Sequence, residues 1–154
     1  MAAKSPLQRA LKPASPLVVQ VCEGLGAVHR RDHRRLDPGI REKVADSLDL
    51  DEALKTDHPA DPRWDYLLGL RAKGQIVAVE PHQAKDSELE VVIRKKDMAR
   101  KYLKQHWHNA EPVARWIWVA SGNVQLNLRG TTGRRLDQAG ILFAGSVISV
   151  KHLP

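Results

Sequence analysis

Residues 64–85 read WDYLLGLRAKGQIVAVEPHQAK, two apolar runs separated by Ala72-Lys73-Gly74. Strand side chains alternate between faces, so Asp65, Leu67 and Gly69 share one side of the first run, and Tyr66, Leu68 and Leu70 the other. In the second run Val77 and Val79 point one way, and Ile76, Ala78, Glu80 and His82 the other. Gly74 is free to take positive φ in the turn. The pattern predicts a hairpin with Asp65 at the mouth of its first strand. Glu80 then ends an apolar row in its second, where a carboxylate must be solvated, paired or metal-bound.

Helical spacing flanks the hairpin. Leu17, Val18, Val21, Leu25 and Val28 follow Ser15-Pro16, an N-cap with proline at the first helical position. They predict a helix that carries Glu23 beside Gly24 and Gly26. Asp37-Pro38 opens a second helix with Ile40, Val44 and Leu48 on one side. It runs into the acidic DSLDLDEALKTD, expected at the outward edge of the fold. His58-Pro59-Ala60-Asp61-Pro62 can be neither a helix interior nor a central strand.

Past the hairpin, Ser87-Glu88-Leu89-Glu90 has the form of a capping box for a helix reaching about residue 106. Its core side is Leu89, Val92, Ala99 and Leu103, helped by Ile93 and Tyr102. Residues 113–120, VARWIWVA, have strand composition, with Trp116 and Trp118 opposite Ile117 and Val119. A turn at Ser121-Gly122-Asn123, a short strand over 124–128, a short helix in TTGRRLDQAG and a last strand over 141–150, bent near Gly145, complete the expectation. Residues 1–14 read as a flexible arm, and 15–154 as a single α/β domain, a small sandwich with a central mixed sheet flanked by helices.

Charge adds a partner. The chain of 154 residues has a formal net charge of +7, which favours polyanions through phosphate neutralisation. Arg94, Lys95, Lys96, Arg100, Lys101 and Lys104 oppose only Asp97 on the outer side of the helix after the hairpin. That face predicts contact with nucleic acid, DNA first, or another polyanion. The four tryptophans offer anchors for a protein partner. One cysteine, Cys22, excludes an internal disulfide and fits a cytoplasmic setting. The apolar runs are far shorter than the ~18 residues of a membrane span. There is no Walker loop, no GxGxxG fingerprint, no CxxC pair and no nucleophile elbow.

The order helix with Glu23, strand with Asp65, strand with Glu80-Pro81-His82, helix, strand resembles the core plan of the PD-(D/E)xK nuclease-like superfamily, from about residue 17 to 150. The resemblance implies a restriction-endonuclease-like fold and a metal-dependent nuclease acting on phosphodiesters. It implies Mg²⁺ or Mn²⁺ held by Glu23, Asp65 and Glu80, with Asp65, Glu80 and His82 as catalytic residues. His82 stands where the superfamily usually has lysine, and Pro81 lies inside the motif. Lys95 or Lys96 of the next helix could supply the missing charge. The alternative is a non-catalytic nucleic-acid-binding or protein-interaction module on the same scaffold.

Overall fold

The computed structural model describes residues 3–154. One six-stranded sheet organises them, its strands lying side by side in chain order: β1 (Cys22–Glu23), β2 (Val44–Asp49), β3 (Tyr66–Leu70), β4 (Ile76–Lys85), β5 (Val113–Gln125) and β6 (Ile141–Phe143). The first four are antiparallel; β4, β5 and β6 are parallel. Parallel neighbours need crossovers, and these are the helices α4 (Leu89–Leu103) and α5 (Thr131–Ala139). Three short helices, α1 (Pro6–Ala10), α2 (Pro38–Arg41) and α3 (Leu50–Lys55), complete the set. The chain is thus an α/β protein with a mixed sheet, as its pattern predicts. Among the described residues no helix is long and apolar enough to cross a membrane.

The sheet buries both faces, and the alternation of the hairpin assigns its residues to them. Leu67, Ile76, Ala78, Trp116 and Trp118 pack under α1, α3, α4 and α5. Tyr66, Leu68, Leu70, Val77, Val79, Ile117 and Val119 pack against Leu36, Ile40 and Ile148 on the other side. The turn falls at 72–74, where Lys73 (φ 60°) and Gly74 (φ 59°) are both left-handed. Gly140 (φ 68°) ends α5.

Several expectations are corrected. Over its described residues, 3–14, the arm packs on the fold, with residues 1 and 2 outside the description: Leu7 and Leu11 are fully buried, worth about 1.5–3 kcal/mol each. The Leu7 N–H donates to Asp46 Oδ2 at 3.0 Å, so the sheet caps α1. The helix over 15–28 does not form; only a 3₁₀ turn at Val18–Gln20 does, followed by β1. Gly24 has φ +54°, incompatible with a helix, and Val19 is 86 % exposed. The acidic block is no outward edge, because Val44–Asp49 is an inner strand with Asp46 and Ser47 buried. Its acids meet local needs: Asp46 caps α1, and Asp49 accepts from the Glu52 N–H to cap α3.

There is no capping box at Ser87. A 3₁₀ turn, Asp86–Glu88, precedes α4, and Asp86 instead accepts from Thr132 Oγ1 and the Asn127 N–H. The turn expected at 121–123 is a bulge in β5, which continues beside Ala84 and Lys85 to Gln125. The last strand stops at Phe143, before the left-handed Gly145 (φ 79°).

Candidate functional site

Where β3 begins, the sheet loses a strand. Tyr66 pairs with Val79, the last β4 residue opposite β3, and beyond it β4 is paired with β5 alone. Asp65 precedes that point on the approach to β3, and Glu80 follows it in β4. Pro81, which has no N–H to give, therefore falls where no β3 neighbour needs one. The notch holds the charged residues.

Glu80 is fully buried and both its oxygens are occupied. Oε1 accepts from the Asp65 N–H at 2.9 Å, and Oε2 from Lys95 Nζ of α4 at 2.5 Å. His82 Nδ1 lies 3.4 Å from the same Oε2, and its Nε2 lies 2.8 Å from Glu88 Oε1. In the imidazolium form both ring nitrogens donate.

The electrostatics follow from burial among charges. Burial acts to lower Lys95, but the charge and hydrogen bond of Glu80 outweigh it and its pKa is raised. The hydrogen bond to Glu80 raises His82, against burial and with help from Glu88. Asp65 is pushed up to about 8, first by burial and then by the charge of Glu80.

The connection before β3 is held by its own side chains. Arg63 Nε donates to Asp51 Oδ1 at 2.9 Å, and its Nη1 donates to the carbonyls of His58 at 2.8 Å and Pro59 at 3.1 Å. The His58 ring stacks on Tyr102 of α4 with centroids 3.4 Å apart, and the Tyr102 hydroxyl donates to Asp61. The two-proline segment is thus tied to the helix that delivers Lys95.

The fold brings Asp65, Glu80, His82 and Lys95 together. It does not bring Glu23. That residue is exposed on the edge strand β1 opposite Asp46, which pairs with Gly69, four residues along β3 from Asp65. At ~3.3 Å per residue and ~4.8 Å per strand the separation is about 16 Å. Carboxylates reaching 2.0–2.6 Å to an ion cannot share one across that gap.

The basic face also divides. Arg94, Lys101 and Lys104 are exposed, and Arg100 is exposed but paired with Glu111 at 3.0 Å. Lys96 is buried: its Nζ donates to the Ala139 carbonyl at the end of α5 and lies 5.7 Å from the Trp116 ring centroid. It caps a helix and is not part of the solvent face. The pattern carries this signal, since Lys96 falls in the 3-4-3-4 stripe of Leu89, Val92, Ala99 and Leu103. Glu88 and Asp51, which sequence reasoning missed, belong to no motif; only pairing in space marks them.

Among the described residues no three His, Cys, Asp or Glu side chains converge as a metal cage. The mouth offers two carboxylates, Asp65 and Glu80. That donor set fits a hard ion such as Mg²⁺, which keeps several waters and takes one or two carboxylates. It does not fit a structural zinc. No protein-family model, curated protein or solved structure matches the chain.

Proposed function

We propose that the chain is a metal-dependent nuclease-like protein acting on nucleic acid phosphodiesters, with Asp65, Glu80 and Lys95 as its working residues. The observation that carries this is the Lys95 ammonium at 2.5 Å from the buried Glu80 carboxylate, whose other oxygen holds the Asp65 backbone. On this reading a lysine from α4 would take the role that the PD-(D/E)xK resemblance assigns to the third motif position, where this chain has His82. The run β3–β4–α4–β5 follows the order that resemblance implies, and the helix with Glu23 is the part it lacks.

Asp65 and Glu80 would hold Mg²⁺ or Mn²⁺, which when bound polarises a phosphodiester and lowers the pKa of a ligated water. Glu80 fixes Asp65 through its backbone N–H. Lys95 pairs with Glu80 and brings a positive charge beside it. His82, clamped between Glu80 and Glu88 and raised in pKa by the hydrogen bond to Glu80, would orient Glu80.

The test is cleavage of supercoiled plasmid and of a single-stranded oligonucleotide, with Mg²⁺, with Mn²⁺ and with chelator. The expected result is divalent-dependent cleavage that falls by about 100-fold or more in Asp65→Asn and in Lys95→Met. No cleavage of either substrate, or cleavage that survives both substitutions, overturns the proposal. One observation favours a second reading, a non-catalytic nucleic-acid-binding or protein-interaction module: both Glu80 oxygens already have partners within the fold. Binding without cleavage is its signature.

A further inference from the structure

On the face of the sheet away from α4, the end that carries the mouth is backed by a 3₁₀ helix, Arg30–Arg35, of sequence RRDHRR. Asp32 is buried there. Its Oδ2 accepts from the Tyr66 hydroxyl at 2.6 Å, and the hydroxyl oxygen accepts from the His29 N–H at 3.2 Å. Asp32 and Arg35 share a small recess with Tyr66, Val79 and Pro81. Tyr66 and Val79 are the last pair between β3 and β4, next in the chain to Asp65 and Glu80. The segment therefore sits across the thickness of the sheet from the candidate site.

Its side chains divide into two sets. Asp32 is tied to Tyr66, His33 Nε2 lies 3.0 Å from the Val28 carbonyl, and Arg35 Nη2 donates to the Ser121 carbonyl at 2.5 Å. A carboxylate is costly to bury unless it is hydrogen-bonded, and this one fixes the segment to β3. Arg30, Arg31 and Arg34 are exposed. Among the described residues none of these three has a carboxylate within salt-bridge reach. Asp49, which meets the segment at His29 (3.3 Å), also accepts from the Glu52 N–H. Arg31 and Arg34 fall on one side of the 3₁₀ helix, about 6 Å apart along its axis at ~2 Å per residue.

We propose that Arg30, Arg31 and Arg34 form a ridge that binds the phosphate backbone of a nucleic acid strand as it leaves the mouth on the face opposite Lys95. Three like charges with no acid among them repel one another, and a polyanion relieves that repulsion. Guanidinium forks match phosphate oxygens. A segment already held in place loses little freedom when a strand docks on it. The contacts are to backbone, so they position the strand without reading its sequence. The course of the strand rests on the phosphodiester reading of the Asp65–Glu80–Lys95 site; the affinity of the ridge does not.

The experiment is done in chelator, so that binding is read without cleavage. Affinity for a fluorescent single-stranded oligonucleotide is measured against salt for the wild type and for Arg30→Gln/Arg31→Gln/Arg34→Gln. Two controls accompany them: Arg30→Lys/Arg31→Lys/Arg34→Lys, and the charge-matched Lys43→Gln/Arg71→Gln/Lys73→Gln, whose positions are exposed at the other end of β3. The glutamine ridge variant is expected to bind at least about tenfold more weakly and to flatten the log–log salt slope by about 2, three phosphate contacts at ~0.7 each. The lysine variant keeps the slope, because the slope counts charge, and the far-end control stays near wild type.

Absence of binding, equal losses in the ridge and far-end variants, or a slope unchanged without the ridge overturns the inference. A slope lost equally in the lysine variant overturns it too, since the charge is then still present. Polyglutamate that competes as well as the oligonucleotide at matched charge overturns the nucleic-acid assignment. Failure of the nuclease reading shows instead as absent metal-dependent cleavage with ridge-dependent binding intact.

Discussion

Lys95 and Lys96 are neighbours in the chain and end in opposite surroundings. Lys95 reaches the notch in the sheet, pairs with Glu80 and has its pKa raised. Lys96 turns under α5, where burial and then Arg100 lower its pKa, and among the described residues its bonded partners are the carbonyls of Ala139 and Gly140. One lysine balances a buried charge; the other answers the partial charge at a helix end. A row of bases on a helix is therefore not one patch. What each does is set by what the sheet and α5 present to it a few ångströms away.

The strongest break in that comparison is removal of Lys95. Lys95→Met leaves Glu80 buried with only His82 opposite, and urea unfolding is expected to show a loss of about 3 kcal/mol, the low end for a broken buried pair. Glu80→Gln in the same background removes the orphaned charge, so the double variant should lose clearly less than the sum of the single losses. Additive losses would show that the two residues do not act as a pair.

Lys96→Met should cost less, about 1 kcal/mol, because it removes a cap and no buried countercharge. The loss should be accompanied by faster amide exchange over residues 136–140 and not around Glu80. Uniform exchange changes would refute a local capping role.

The smallest effect has opposite signs at the two positions. Lys95 holds its proton more tightly folded than unfolded, so its contribution is complete below the ordinary lysine value of 10.5 and is lost as pH rises through its folded pKa. Lys96 holds its proton less tightly, so the folded state gains on the unfolded one as pH climbs from the lowered value toward 10.5. Raising pH from about 9 to 11 should narrow the stability gap between wild type and Lys95→Met, and widen it for Lys96→Met. Parallel pH profiles would contradict the assigned environments.

The elements legible in sequence are those whose periodicity is set by two packed faces. The hairpin, the Trp116/Trp118 strand and α5 fall where alternation and glycine place them. The stretch over 15–28 has helical spacing, yet Gly24 leaves helical geometry and Val19 faces solvent. The strand β2 was hidden by its acids, because Asp46 and Asp49 resemble surface residues until the helix N-termini they cap are in view.

The candidate site divides along the same line. Asp65 and Glu80 facing one another is a consequence of strand period two. Glu23 depended on a helix that does not exist. The clamp on His82 by Glu88, and the hold of Arg63 on the approach to β3, need the third dimension.

Spatial order and chain order coincide across the sheet, from β1 to β6. No strand has to be inserted between two already in place. The sheet can assemble by accretion from the β3–β4 hairpin outward, each new strand joining the growing border as its connection closes. Growth ends at two residues on one border and three on the other, so the open backbone lies instead where β4 past Val79 and β5 past Trp118 outrun their neighbours.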